Sequence, residues 1–258
     1  MTTVSDILHF LDTLAPPELA EPWDNVGLLC GRAEAPVTKV LLALDPFEGV
    51  CREAGAIGAE LIVTHHPLIF DPVKSVTDQT AIGRCLQYLC AKGISAINAH
   101  TNLDCALGGV NDCLAARLGL ETVHTILLPG KEWGLLRYGT VPEQPLPAFL
   151  DTVKRALGCP GLRYVDGGKP VHRAAVGGGS CGSELMDAVK AGCDTFVTSD
   201  VKYNQFWDAK DLGLNLIDAG HFYTENPVIF WLAEKIQGQF PQVSVQISQA
   251  HRDCMKMF

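Results

Sequence analysis

Leu61-Ile62-Val63-Thr64-His65-His66-Pro67 is the stretch on which the reading of this chain turns. An apolar run ends in two adjacent histidines, and a proline stops it. Leu61, Ile62 and Val63 read as a strand buried on both faces, as in a parallel sheet. His65 and His66 then fall at the strand's carboxyl end, where open α/β sheets place their ligands. Neighbouring side chains on an extended chain point to opposite sides, so one strand end can serve two different ions. An isolated histidine pair is ordinarily a surface-loop feature. Here the rest of the chain supplies acidic and imidazole partners at matching places.

Outward from that stretch, strands and helices alternate. Ser5 reads as the cap of a first helix with Ile7, Leu8, Leu11 and Leu14 as its apolar stripe. Pro16-Pro17 ends it. Glu21 to Leu28 reads as a loop. Val40 to Leu44 is a predicted strand ending at Asp45-Pro46, followed by a helix over 47–57. A helix over 80–91 and a strand from Ile94 to Asn98 follow. The strand runs into Ala99-His100-Thr101-Asn102-Leu103-Asp104, and a helix is expected over 110–118. The middle, from about residue 121 to 169, is irregular, with strand-like runs at 135–141 and 162–165 and a helix over 146–157. α/β character then resumes. Ala174-Ala175-Val176 enters Gly177-Gly178-Gly179-Ser180, a turn that could receive an anion if it opened a helix. It matches neither a dinucleotide fingerprint nor a P-loop. Thr195 to Thr198 ends in Ser199-Asp200, and a helix is expected over 203–212. Strand 214–217 ends in Asp218-Ala219-Gly220-His221-Phe222-Tyr223-Thr224-Glu225. A last helix (226–236) and strand (243–247) close the pattern. The fold class read from this alternation is α/β, with short parallel strands and crossover helices.

The two halves echo each other. Ile62-Val63-Thr64-His65-His66 resembles Phe196-Val197-Thr198-Ser199-Asp200. In each half the next strand ends in a histidine followed four residues later by a carboxylate: His100 with Asp104, and His221 with Glu225. The expected organisation is two similar α/β lobes with facing strand ends, 1–125 and 126–258, joined by the irregular middle segment.

Composition removes several function classes. The chain has 258 residues, 47% hydrophobic and 19% charged, enough for a sizeable core and against wholesale disorder. Its net charge of −9 comes with no Lys/Arg block, which argues against a nucleic-acid-binding surface. No apolar run reaches the ~18 residues of a membrane span, and residues 1–10 lack the layout of a signal peptide. The ten cysteines contain no CxxC pair. They read as reduced, mostly buried thiols of a cytoplasmic protein.

His65, His66, Asp104, His221 and Glu225 are three imidazoles and two carboxylates at predicted strand ends. Imidazole suits iron, nickel, zinc and manganese, and carboxylate suits the harder end of that series. Two ions about 3.5–4 Å apart need a shared ligand or water, and a carboxylate can bridge. The four-residue spacing of His221 and Glu225 puts both on one face if a helix starts there.

These segments carry a resemblance. Pro22-Trp23-Asp24-Asn25-Val26-Gly27-Leu28, Thr64-His65-His66-Pro67, His100-Thr101-Asn102-Leu103-Asp104, Gly177-Gly178-Gly179-Ser180 and Gly220-His221-Phe222-Tyr223-Thr224-Glu225 occur in the order of the Nif-three-like dinuclear metal family. Its members are also called GTP cyclohydrolase 1 type 2 homologues. The resemblance implies two divalent metal ions (Fe, Mn, Zn or Ni) held by His65, His66, Asp104, His221 and Glu225, with Glu225 as the bridge. It implies two α/β lobes, a homohexameric ring built from trimers, and a nucleotide such as GTP as ligand. Longer members carry an inserted domain that this chain is too short to hold. The activity expected is that of a metal-dependent hydrolase, with His100 as catalytic acid/base or supporting group and Thr64 or Asn102 orienting ligands. The alternative is a non-catalytic metal-binding scaffold or regulatory partner. Asp24, Asn25, Asp45, Asp200 and Lys202 are further polar residues near these motifs that spacing alone does not place.

Overall fold

The computed structural model describes residues 1–257 and shows a mixed α/β protein with two sheets. Its strands are β1 (Gly27–Cys30), β2 (Lys39–Ala43), β3 (Leu61–Thr64), β4 (Ser95–Asn98), β5 (Glu121–Thr125), β6 (Arg137–Gln144), β7 (Arg163–Val165), β8 (Val171–Val176), β9 (Thr195–Thr198), β10 (Asn215–Asp218) and β11 (Ser244–Ile247). Its α-helices are α1 (Val4–Leu14), α2 (Glu48–Ile57), α3 (Ala81–Lys92), α4 (Thr101–Cys105), α5 (Val110–Arg117), α6 (Leu146–Leu157), α7 (Leu185–Lys190), α8 (Tyr203–Asp211), α9 (His221–Glu225) and α10 (Pro227–Gln239).

Two compact units divide the chain. The first is Met1–Ala106 with Ile229–Arg252, and the second is Leu107–Val228 with the residues from Asp253 onward. The units are thus interleaved in sequence, where the residue pattern suggests a single join at 125/126. The physical reason is β11, which pairs in parallel with β2 and so draws 229–252 into the first unit.

In the first unit the strand order is β1-β4-β3-β2-β11. β11, β2, β3 and β4 are parallel, and β1 lies antiparallel against β4. Every residue of β3 and β4 is buried. That burial explains why these strands read as short, near-continuous apolar runs. Leu41, Ala43 and Ile62 pack with Val50, Cys51 and Ala54 of α2 and Cys85, Leu86 and Leu89 of α3. β1 escapes a sequence reading because it is short, only partly buried and follows directly on a polar loop. It is a four-residue edge strand with a register shift between Leu28 and Cys30. α1 is capped by Thr3, not Ser5: the Thr3 hydroxyl accepts from Asp6 N at 3.2 Å, and the Asp6 carboxylate accepts from Thr3 N at 2.8 Å. This reciprocal pair is a capping box one turn ahead of the apolar stripe.

In the second unit the order is β5-β6-β8-β9-β10-β7. β8, β9 and β10 are parallel, and β5, β6 and β7 are antiparallel additions. Here the irregular middle of the sequence becomes sheet edge. α6 covers one face through Leu146, Phe149 and Val153, which pack with Val171, Ala174, Val176, Val197 and Ile217. Ala175, Phe196 and Leu216 pack on the other face with Leu185 and Ala188 of α7 and Ala209 of α8. Arg137 of β6 is 1% exposed and donates to Asp112 at 3.1 Å and to the Gly134 carbonyl at 2.8 Å. No described helix is long and apolar enough to cross a membrane.

Candidate metal centre

In the first unit the parallel strands end in polar residues. His65 and His66 follow β3, Asp45 follows β2 by two residues, and Ala99-His100 follows β4. His100 precedes the single-turn helix α4, which carries Asp104. The ligand atoms that His65, His66 and His100 can offer lie within 4.8 Å of one another. Their rings stand 5.0 to 5.5 Å apart, centre to centre. His65 Nε2 lies 3.5 Å from Asp104 Oδ1, and His65 itself is fully buried. The sequence-predicted ligands His65, His66 and Asp104 are therefore brought together, and His100 joins them.

Each ring is oriented through its other nitrogen. His65 Nδ1 lies 2.9 Å from the Ala99 carbonyl oxygen. His66 Nδ1 lies 2.7 Å from Asp45 Oδ1, and His100 Nδ1 lies 2.8 Å from Asp24 Oδ1. A carbonyl or an ionised carboxylate can only accept, so each Nδ1 donates its proton. In a neutral ring Nε2 is then the nitrogen with the lone pair. Metal-ligating histidines are wired in this way: the acceptor fixes tautomer and ring plane and raises ligand basicity.

The backbone around these rings is also pinned. Thr64 Oγ1 donates to the His66 carbonyl at 2.7 Å. Asn102 Oδ1 accepts from His100 N at 2.9 Å, while Asn102 Nδ2 donates to the Ala15 carbonyl at 2.7 Å. Asp24, with a side chain wholly out of solvent, also accepts from Thr101 N at 3.0 Å and Thr101 Oγ1 at 2.5 Å. Burial alone would raise its carboxyl, but the bonds from His100 and Thr101 outweigh burial and hold it well below the usual carboxylate range. Asn25 Nδ2 donates to the Ile69 carbonyl at 2.6 Å and ties this loop to the segment after His66. Nearby, His251 Nδ1 accepts from Leu44 N at 2.9 Å, and burial lowers its pKa. That neutral ring steadies the residue preceding Asp45.

In the second unit, α9 is also a single turn, and it places His221 and Glu225 side by side. His221 Nε2 and Glu225 Oε2 are 3.0 Å apart. His221 Nδ1 lies 2.7 Å from Asp200 Oδ2, repeating the carboxylate–imidazole wiring. Asp200 adopts the left-handed region at φ +51°, a strained conformation that aspartate tolerates better than most residues. Thr224 is buried, and its hydroxyl accepts from Gly179 N at 3.0 Å.

The three glycine amides of the turn point into the fold and not toward an anion. Gly177 N donates to the Val197 carbonyl, Gly178 N to Asn111 Oδ1 and Gly179 N to Thr224 Oγ1. Its amides are spent inside the fold. What the turn provides is room. Gly179 sits at φ +65°, and a Cβ there would collide with Glu225 Oε1 and lie 3.2 Å from His221 Nε2. The missing side chain leaves open the volume in front of both ligand atoms, which fits a metal ion.

Asp24, Asp45 and Asp200, which spacing alone left unplaced, are the three carboxylates behind His100, His66 and His221. Asp45 and Asp200 each fall two residues beyond a buried parallel strand, much as the histidines do. Lys202 is exposed at the start of α8, where its N–H donates to Gln205 at 2.7 Å.

Fold and donor set together define a mixed α/β protein whose histidine and acidic groups can hold a metal ion. The chain belongs to the Duf34/NIF3 (NGG1p interacting factor 3) family, whose model matches residues 2–254. A Clostridium perfringens protein named GTP cyclohydrolase 1 type 2 homolog is 38% identical over 240 residues, covering 91% of each chain. A Bacillus cereus protein related to NIF3 has a crystal structure that superposes with a TM-score of 0.93 at 26% identity, over 100% of this chain and 99% of that one. A Staphylococcus aureus hypothetical protein superposes with a TM-score of 0.90 at 30% identity, over 99% of each chain.

Proposed function

We propose that the chain binds two divalent metal ions through His65, His66, Asp104, His221 and Glu225. On this reading it is a metal-dependent hydrolase of a nucleotide or a similar small molecule. The observation that carries the proposal is the common wiring of the imidazoles. Four histidines each give Nδ1–H to an oxygen acceptor, so Nε2 is the nitrogen a neutral ring would offer to a metal ion. Neutral imidazoles with carboxylates suit the borderline ions iron, manganese, zinc and nickel. Glu225 has a second carboxylate oxygen and can bridge two ions, as the family resemblance implies. The same resemblance supports a homohexamer, the cysteine usage supports a cytoplasmic protein, and the name GTP cyclohydrolase 1 type 2 homolog carried by the Clostridium relative supports a nucleotide.

Divalent ions supply Lewis acidity and make water a stronger acid. The chain's own part is orientation and proton handling. His100 keeps its Nδ1 proton on Asp24 and presents Nε2 beside His65 and His66. A proton taken up at Nε2 makes an imidazolium whose charge Asp24 offsets, the logic of a carboxylate behind a catalytic histidine. The side chains of Thr64 and Asn102 hold the backbone of His66 and His100 while this happens.

The test is turnover of GTP by metal-loaded protein. The expected result is hydrolysis that disappears with a chelator, returns with metal, and falls about 10²–10⁴-fold in H100Q, the range for a general acid–base group. A metal-loaded protein that turns over neither GTP nor other nucleotides would replace this reading with that of a metal-binding scaffold.

A further inference from the structure

Cys30 ends β1, and Cys90 lies in the last turn of α3. Their Sγ atoms are 3.8 Å apart, across sixty residues of sequence. A disulfide bond is about 2.05 Å long, so closure needs the sulfurs to approach by less than about 2 Å. The two thiols differ in access. Cys30 is buried and Cys90 is exposed. Cys51 and Cys85, each near enough to shift the other's thiol, are both buried. Surface access therefore distinguishes the Cys30–Cys90 pair from that second one. None of these four residues enters the metal-binding proposal.

We propose that Cys30 and Cys90 are a redox-active dithiol, with Cys90 the entry point for a small disulfide such as oxidised glutathione. The Cys90 thiolate attacks one sulfur of the small disulfide. Its S–S bond breaks, a Cys90 mixed disulfide forms, and one thiolate leaves and is protonated. Cys30 then loses its proton and attacks the Cys90 sulfur. The mixed disulfide breaks, the second small thiol leaves, and the Cys30–Cys90 bond forms. The protein pair is oxidised by two electrons and the small disulfide is reduced to two thiols. Burial and the neighbouring Cys90 sulfur push the Cys30 thiol up to about 12. Closure is therefore the slow step, and it speeds up as pH rises, because the thiolate is the nucleophile. The bond would fasten the end of β1 to α3. Since β1 begins two residues after Asn25, it would also stiffen the segment that carries Asp24.

The test treats the folded, full-length chain with oxidised glutathione, blocks remaining thiols with an alkylating agent under denaturing conditions, and maps peptides by mass spectrometry without reduction. The expected product links the Cys30 and Cys90 peptides, with Cys51 and Cys85 still alkylated. In C30S the reaction should stop at a glutathione adduct on Cys90, and in C90S neither product should form. The proposal is overturned if the parent accumulates a stable glutathione adduct on Cys90 while Cys30 stays alkylatable. It is equally overturned if both cysteines remain reduced. Because the parent decides the matter, a variant that fails to fold does not obscure the result.

Discussion

Replacing Asp24 with asparagine removes a carboxylate that carries four hydrogen bonds. Oδ1 accepts from His100 Nδ1 at 2.8 Å and from Asn25 N at 2.8 Å. Oδ2 accepts from Thr101 N at 3.0 Å and Thr101 Oγ1 at 2.5 Å. An asparagine has one acceptor oxygen, so it keeps one of these pairs. Its NH2 group must then face the two donors of the other pair, with the side chain out of solvent. Each bond to a charged acceptor is worth about 1.5–3 kcal/mol. Two lost bonds, partly relieved by movement of the loop, should cost about 3 kcal/mol. For a chain of this size that corresponds to a fall in Tm of about 6–12 °C. The assay is thermal unfolding followed by circular dichroism at neutral pH, parent against D24N. A shift under about 1 °C would refute the reasoning, because it would mean the carboxylate is replaceable by a neutral amide and does not organise His100.

Further predictions follow from the same geometry. The folded Asp24 carboxyl is depressed, so its stabilisation is fully present above the unfolded value near 3.8 and is lost as pH falls toward the lower folded value. In urea unfolding at a series of pH values, the gap between parent and D24N should therefore narrow below about pH 4. A gap that widened there would contradict the assignment. G179A should strain a left-handed backbone by about 1–2 kcal/mol and crowd Glu225 and His221, so chelator competition should show weaker metal retention than in the parent. D45N and D200N replace the charged acceptors behind His66 and His221 with neutral amides, and each should weaken metal binding about 10–100-fold. Calorimetric titration with zinc would show it.

Much of the fold was legible because its parallel strands are buried on both faces. Leu61 to Thr64 and Thr195 to Thr198 are short apolar runs bounded by polar strand ends, a pattern that leaves little choice. α6 was legible for a different reason: its apolar stripe, Leu146, Phe149 and Val153, faces one sheet. The edges were harder. β1 is only partly buried, β5 is mostly exposed, and both have register shifts, so nothing periodic marks them. The interleaving of the units was illegible, because the pairing of β11 with β2 is a contact across some two hundred residues of sequence. At the site, spacing sufficed for His221 and Glu225, since one helical turn fixes their separation. The links from Asp24 to His100 and from Asp45 to His66 are tertiary, and no local pattern encodes them. The glycine turn misled in an instructive way. Glycines that look ready to cradle an anion donate their amides within the fold, and the space they leave serves a carboxylate and an imidazole.

The most direct test of the central claim is metal content per chain, by inductively coupled plasma mass spectrometry, on protein purified without chelator or histidine tag. The parent and E225Q would be measured together, with circular dichroism confirming that both are folded. The account predicts two metal ions per parent chain and a clear loss in E225Q. A parent that is folded, free of metal and unable to take up iron, manganese, zinc or nickel would contradict it.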